Sequence, residues 1–303
     1  MKPSATVLPD VWGLSWRQFK IHGCSSPNSF GQKLLQIPRE DQPVLQLASA
    51  IFVDILRATT TLVAVTAADC EGIYVDVKPK DRRFYFVPPI DQGTWVYGGE
   101  QYGYPIRGEA ESGSIVDGII DNSPLSVSKS MFKGKYLRFF SSNGASALAS
   151  LISAHFQSIH ALSFANIDAT VRSVLAKRPE RVWVTCGGFY GSSSLEDSVA
   201  AGLAIQGLID AGFAGADDID DEAEAMRIQA IHFRNNTQID AERLVSTLDS
   251  KQVSRLITPF GHKQDIRACV RGDGLEHGLW NAMISVSLVA SAQCNSLLVP
   301  EQT

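Results

Sequence analysis

The chain has no run approaching the roughly 18 uninterrupted apolar residues that a membrane-spanning helix requires. A secretory leader is not expected: one lysine stands near the start, but no apolar stretch precedes Pro9 and Asp10. No Cys-x-x-Cys pair occurs. The five cysteines, Cys24, Cys70, Cys186, Cys269 and Cys294, are far apart and odd in number. Reduced thiols in a cytoplasm are therefore expected, and a zinc site is not. His22, His155, His160, His232, His262 and His277 show no metal-ligand spacing, so structural roles are expected of them, with His262 the best outsider for chemistry. Lysine and arginine form no run, and the net charge is −5. Together these argue against a protein that tracks a nucleic-acid backbone. No period of about 20–50 residues signals a solenoid.

What is present is a globular composition, 45% apolar and 19% charged over 303 residues, enough for one large domain or two ordinary ones. Residues 1–45 look irregular, with Trp12, Trp16 and Phe19 among scattered Gly, Ser and Pro. They read as an arm docked by those aromatics on the body or on a neighbouring subunit of a homodimer. From Leu47 the pattern alternates. Leu47–Val53, Gly72–Val77, Tyr136–Phe140, Ser158–Ser163 and Arg181–Cys186 are short apolar runs of strand length. Thr60–Cys70, Ala145–Ala154, Asp168–Lys177 and Leu195–Ala211 between them carry helical patterns. Asp217–Glu224 holds six acidic residues in eight and reads as a solvated linker or helix start. Helices follow at Asp240–Leu248 and His262–Val270, and Met283–Ala290 supplies a late strand or helix. The expected fold is a three-layer α/β/α arrangement on a mixed, largely parallel sheet, with residues 46–303 as one body. The alternative is two lobes divided near residue 215.

Ligands of open α/β sheets bind beyond the carboxyl ends of strands. Three strands here end in polar loops. The first gives Asp54-Ile55-Leu56-Arg57-Ala58-Thr59-Thr60-Thr61: an acid, a guanidinium, then three hydroxyls at a helix start. A helix N-terminus favours an anion. Arg57 suits phosphate or sulfonate, Asp54 suits Mg²⁺, and Thr59 and Thr60 are candidate substrate contacts. The bland alternative is an N-cap with a surface ion pair. The second loop, Ser141-Ser142-Asn143-Gly144, combines a helix start with a glycine that permits close backbone approach. The third, Cys186-Gly187-Gly188-Phe189-Tyr190-Gly191, leads into Ser192-Ser193-Ser194-Leu195-Glu196-Asp197. Ser193 with Glu196 and Ser194 with Asp197 both fit capping boxes. No arginine follows Cys186 at the spacing of a cysteine phosphatase loop, so a packing role is expected of it. Gly98-Gly99-Glu100-Gln101 sets an acid among glycines, and Asp121-Asn122-Ser123-Pro124 reads as a plain helix start.

Taken in order, Val53–Thr61, Gly99-Glu100, Asn122-Ser123-Pro124, Ser142-Asn143-Gly144 and Cys186-Gly187-Gly188 through Asp197 resemble the 2-phosphosulfolactate phosphatase family of coenzyme M biosynthesis. Asp265-Ile266-Arg267-Ala268-Cys269 resembles a further segment of it. The resemblance implies an α/β, Mg²⁺-dependent phosphatase that converts 2-phosphosulfolactate and water to 3-sulfolactate and phosphate. Three stretches depart from the family pattern. Gln101 stands where members usually carry Arg, Lys80–Pro89 replaces a helical stretch, and the first 45 residues are unfamiliar.

Phosphoryl transfer needs positioned positive charge and an oriented nucleophile. The candidate metal carboxylates are Asp54, Glu100, Glu196 and Asp197. The candidate grips on a small anionic phosphorylated substrate are Arg57, Arg107, Ser142 with the Asn143-Gly144 turn, and the Gly187-Gly188 loop. Asp54, Arg57, Glu100, Asn143 and Glu196 are the expected catalytic set. Two roles stay open to Asp54, attack on phosphorus or holding metal, and the second is preferred. The rival expectations are a non-catalytic anion-binding relative and a phosphatase for another small phospho-acid.

Overall fold

The strand that carries Asp54, Ala48–Val53, is buried along its whole length, and its alternate residues enter two different cores. Ala50 and Phe52 pack into one cluster with Leu62, Ile73, Leu137 and Leu151. Ile51 and Val53 pack into another with Val182, Val184, Ala201 and Ile205. A strand covered on both faces needs layers on both sides, which is why a near-continuous apolar run, rather than an alternating one, encodes it. The computed structural model describes residues 18–38, 41–75, 94–101, 104–105, 120–142, 144–235, 238–250, 263–280, 286–291 and 294–300.

In chain order these residues form β1 (Ile21–Cys24), α1 (Pro27–Gln36), β2 (Ala48–Val53), α2 (Ala58–Ala67), β3 (Gly72–Val75), β4 (Trp95–Gln101), β5 (Tyr104–Pro105) and α3 (Lys129–Phe132). Then come β6 (Tyr136–Phe140), α4 (Gly144–Ser153), β7 (Ser158–Leu162), α5 (Ile167–Ala176), β8 (Arg181–Cys186), α6 (Leu195–Asp210) and α7 (Asp221–His232). The chain continues through β9 (Arg234–Asn235), β10 (Gln238–Ile239), α8 (Ala241–Ser250), α9 (Lys263–Arg271), β11 (Val286–Ser291) and β12 (Cys294–Pro300). Ten strands form one sheet in the order β1-β8-β2-β7-β11-β12-β3-β6-β4-β5. The β1-β8-β2-β7 block is parallel, as is β3-β6-β4. The β11–β12 hairpin lies between the blocks and pairs antiparallel with β7 on one side and β3 on the other. The α/β class and the mixed sheet expected from the alternation are both present.

Helix α2 is buried at every one of its ten positions despite four threonines. A buried hydroxyl without a partner is costly. Here Thr59 Oγ1 donates to Asp54 O at 2.8 Å, Thr60 Oγ1 to Ile55 O at 3.0 Å, Thr61 Oγ1 to Asn122 O at 3.3 Å and Thr66 Oγ1 to Leu62 O at 2.9 Å.

Residues 21–36 differ from the irregular arm expected. Ile21–Cys24 extends the main sheet beside β8, and Pro27–Gln36 is a helix capped by Ser26. Trp12 and Trp16 lie outside the described residues, and Phe19 meets the His22 ring edge-on. The acidic run 217–224 starts helix α7 and also holds this N-terminal element. Asp220 caps α7 through Ala223 N at 2.9 Å and accepts from Gly23 N at 3.1 Å. Glu222 accepts from Ser25 N at 2.6 Å, and Lys33 Nζ pairs with Asp220 at 2.7 Å and Glu222 at 3.1 Å. Burial alone would raise the Asp220 carboxyl, but His22, Lys33 and the Ala223 amide outweigh it and bring it to about 2. Around residue 215 the chain stays in the second core, where Ala214 and Ile219 are both buried. Among the described residues no helix is long and apolar enough to cross a membrane.

Candidate active site

Asp54 leaves β2 just where the chain turns into α2, and the turn is fixed from both sides. Its amide donates to Thr59 Oγ1 at 3.1 Å, and its carbonyl accepts from the Thr59 amide at 2.8 Å. The side chain is 5% exposed. Its Oδ1 faces the Ala58 amide at 3.4 Å. Its Oδ2 lies against Gly144, the first residue of α4, and against Gly187 after β8; a Cβ at either glycine would collide with it. These positions are glycine because three chain segments converge on one carboxylate there. The Gly187 amide also donates to Val53 O at 2.6 Å, tying the β8 loop to the end of β2.

The first turn of α6 brings two more carboxylates. The capping boxes expected for Ser193 and Ser194 do not form, since Ser194 is the N-cap without a side-chain capping bond. Asp197 instead reaches away from the helix: Oδ1 accepts from the Ile55 amide at 2.7 Å and Oδ2 from the Gly188 amide at 2.9 Å. Glu196 is 4% exposed, and no well-formed hydrogen bond reaches its Oε2 among the described residues. Burial, reinforced by the Asp197 charge, pushes Asp54 well above the usual carboxylate range. Burial and then the Asp197 charge take Glu196 to about 8. Burial takes Asp197 to about 6, against the opposing pull of the Ile55 and Gly188 amides.

Glu100, at the end of β4, is held by the turn after β6. Ser142 N donates to its Oε1 at 2.6 Å, Ser142 Oγ to its Oε2 at 3.1 Å and Ser141 Oγ to Oε1 at 3.2 Å. Its charge is among those that raise Asp54. Arg57 is 6% exposed and donates from Nη1 to Asp265 Oδ2 at 2.7 Å.

The structure thus gathers Asp54, Glu196, Asp197, Gly144, Gly187 and Gly188, with Glu100 at the end of β4 held by Ser142 on the neighbouring turn. It turns the Thr59 and Thr60 hydroxyls onto backbone carbonyls, where they shape the β2–α2 turn. Arg107, Asn143 and His262 lie outside the described residues. Sequence reasoning gave Asp265 no role at the site; its signals are the family-like segment Asp265–Cys269 and an acid in the first turn of an amphipathic helix. A cleft of about 900 Å³ lined by Asn166, Asp168, Arg234, Arg271 and Trp280 contains none of the residues of the Asp54 cluster.

Among the described residues no three His, Cys, Asp or Glu side chains converge as a ready-made metal cage. Mg²⁺ does not need one, because it commonly keeps several waters and takes one or two carboxylates plus substrate phosphate oxygens. The donors fit that pattern: hard carboxylate oxygens, raised chiefly by burial and, at Asp54 and Glu196, also by the Asp197 charge, with Glu196 Oε2 lacking a partner among the described residues.

Cys186 is fully buried, its Sγ is 3.8 Å from Met226 Sδ, and burial pushes its thiol well up. A thiol held protonated is no nucleophile. Cys186→Ser should therefore retain most of kcat and lower stability by about 1 kcal/mol. A thousandfold loss of turnover in the folded variant would return the β8 loop to thiol chemistry.

A family model described as 2-phosphosulpholactate phosphatase matches residues 36–277. The chain is 30% identical over 241 residues to a protein named "Probable 2-phosphosulfolactate phosphatase" from Synechococcus sp. (strain CC9605), covering 79% of this chain and 91% of the relative. It is 30% identical over 241 residues to one of the same name from a Picosynechococcus species, covering 78% and 89%. A third, from a Cyanothece species, is 28% identical over 228 residues, covering 75% and 86%.

Proposed function

The chain belongs to the 2-phosphosulpholactate phosphatase family, and from that premise we propose that it is a phosphoric monoester hydrolase that uses Mg²⁺ to convert 2-phosphosulfolactate and water to 3-sulfolactate and phosphate. The observation that carries the reading is the buried Asp54–Glu196–Asp197 group beside the Gly144 and Gly187 turns. A phosphate dianion does not approach three carboxylates unless positive charge lies between them. Bound Mg²⁺ would supply that charge, polarise the ester and lower the pKa of a bound water.

The chain's own residues divide the remaining work. Asp54 and Glu196 are the carboxylates for the cation. Asp197, whose two oxygens accept backbone amides, clamps the β2 turn to the glycine loop. Glu100 is oriented by Ser141 and Ser142, which suits it to hold a water of the cation shell. The N-terminus of α4, starting at Gly144, supplies amides to phosphate oxygens, as helix N-termini do. Arg57 and Arg107 take the phosphate and the second anion. The reading assigns this reaction to coenzyme M biosynthesis and the protein to the cytoplasm.

A turnover screen of small phosphomonoesters with Mg²⁺ tests the assignment. The expected result is the highest kcat/KM on 2-phosphosulfolactate. Preference for another phospho-acid would shift the substrate, with Gln101 the first residue to exchange. Binding without turnover of any ester would make the protein an anion-binding relative.

A further inference from the structure

Asp265 and Arg57 are 208 residues apart in sequence and meet in the interior. Asp265 is 1% exposed. Its Oδ2 accepts from Arg57 Nη1 at 2.7 Å, and its Oδ1 accepts from Ser123 Oγ at 2.6 Å. Ser123 also accepts from the Leu125 amide at 3.2 Å, capping the short turn Pro124–Ser126. That turn is tied to α2 again through Thr61 Oγ1 and Asn122 O. One carboxylate therefore joins the turn leaving β2, the turn at 121–126 and the first turn of α9. Behind it, Ile266 and Cys269 are fully buried and anchor this turn of α9 in the core.

A guanidinium always carries charge and has five donors in a rigid fork. Among the described residues Asp265 engages Nη1 alone, which leaves the other arms of the fork. A long side chain that must meet an anionic oxygen in the transition state gains from having its plane fixed beforehand. A carboxylate that is itself held by a serine is a stiff means of fixing it.

We infer that Asp265, backed by Ser123, is a positioning residue that fixes the Arg57 guanidinium so that its remaining donors take an anionic oxygen of the phosphorylated substrate. This rests on the phosphatase reading, and the test separates the two. Arg57→Lys, Asp265→Asn, Asp265→Glu and the Arg57→Lys/Asp265→Asn pair are compared in the full chain with Mg²⁺. Three things are measured: kcat and KM on the phosphomonoester that the wild type turns over best, calorimetric affinity for inorganic phosphate, and melting temperature.

Asp265→Asn should lower kcat/KM by about 10- to 100-fold, the cost of a misplaced group of this kind, and should weaken phosphate binding in the same direction. Asp265→Glu should recover part of the loss. The double variant should be no worse than Arg57→Lys alone, because both losses run through one guanidinium. If Asp265→Asn does not fold, Ser123→Ala keeps the ion pair while freeing Asp265, and it should show a smaller loss of the same sign.

A purely structural ion pair would lower the melting temperature while leaving kcat/KM and phosphate affinity unchanged; that result, or additive losses in the double variant, overturns the inference. A wild-type protein that turns over no phosphomonoester yet binds phosphate in an Asp265-dependent way removes the phosphatase reading and keeps the positioning role. Absence of phosphate binding by the wild type removes both.

Discussion

Asp54→Asn should lower kcat by about 10²–10⁴-fold, in line with the loss of one key electrostatic element, and should at the same time raise the melting temperature at neutral pH. The two effects have one cause. Asp54 lies in a slot bounded by Gly144 and Gly187 and is raised well above the usual carboxylate range by burial and by Asp197. The fold alone therefore favours the neutral side chain. Asparagine has nearly the same shape, keeps the fit against the two glycines and removes the unwelcome charge. The same charge is what a cation and a transferring phosphoryl group need nearby. Stability gained with activity lost is the usual trade at a strained functional site. Kinetics on the best substrate and a thermal melt of the same preparation check it. A near-normal kcat would remove Asp54 from the centre of the site, and loss of stability together with activity would make it a structural cap.

Stripping divalent cations with EDTA should reduce turnover to background, and added Mg²⁺ should restore it. Stability gives a readout that does not depend on turnover. Glu196 stands at about 8 folded against 4.5 in the open chain, and Asp197 at about 6 against 3.8. Both folded values are raised, so folding takes up protons in that window. Stability of the stripped protein is then greatest below about pH 4–5 as far as these groups are concerned and is lost as pH rises toward 8. The loss is of order 2–4 kcal/mol, taking about 1.4 kcal/mol per pKa unit and discounting for relaxation of the site. Mg²⁺ should therefore stabilise most at pH 8, where protons no longer compete for the carboxylates. Asp220 works in the opposite sense: its value is depressed to about 2, so its contribution is present above 3.8 and disappears as pH falls through 2. Melting temperatures from pH 3 to 8, with EDTA and with Mg²⁺, give the profile. A metal-independent melt that rises steadily to pH 8, with full activity in EDTA, would remove the cation from the site.

Much of this arrangement was legible from short stretches. Tyr136–Phe140 and Arg181–Cys186 form strands over the spans their sequence patterns suggested; the second is buried almost throughout, and a strand covered on both faces leaves a continuous apolar signal. Asp54 stood out as an acid at the end of an apolar run, and Glu100 as an acid among glycines. The rest depends on distance along the chain. Ile21–Cys24 carries histidine and glycine in four residues and is a strand only because β8 offers it an edge. Ser194 and Asp197 have the spacing of a capping box, but two loops outside the helix compete for the carboxylate and win. Arg57 gives no local hint that its partner lies 208 residues away.

The position of the last hairpin bears on how the protein is made. Among the described residues β7 and β3 are joined in the sheet through β11 and β12 alone, so a ribosome must deliver residues near 300 before the two parallel blocks can share one sheet. Until then each block carries a raw edge with unpaired amides and carbonyls, the template on which strands of other chains add. A message that stops short of residue 286 yields a chain with most of its helices and all of the Asp54 cluster, yet with two open seams at its centre. Such a product is a substrate for chaperones and proteases rather than a smaller enzyme.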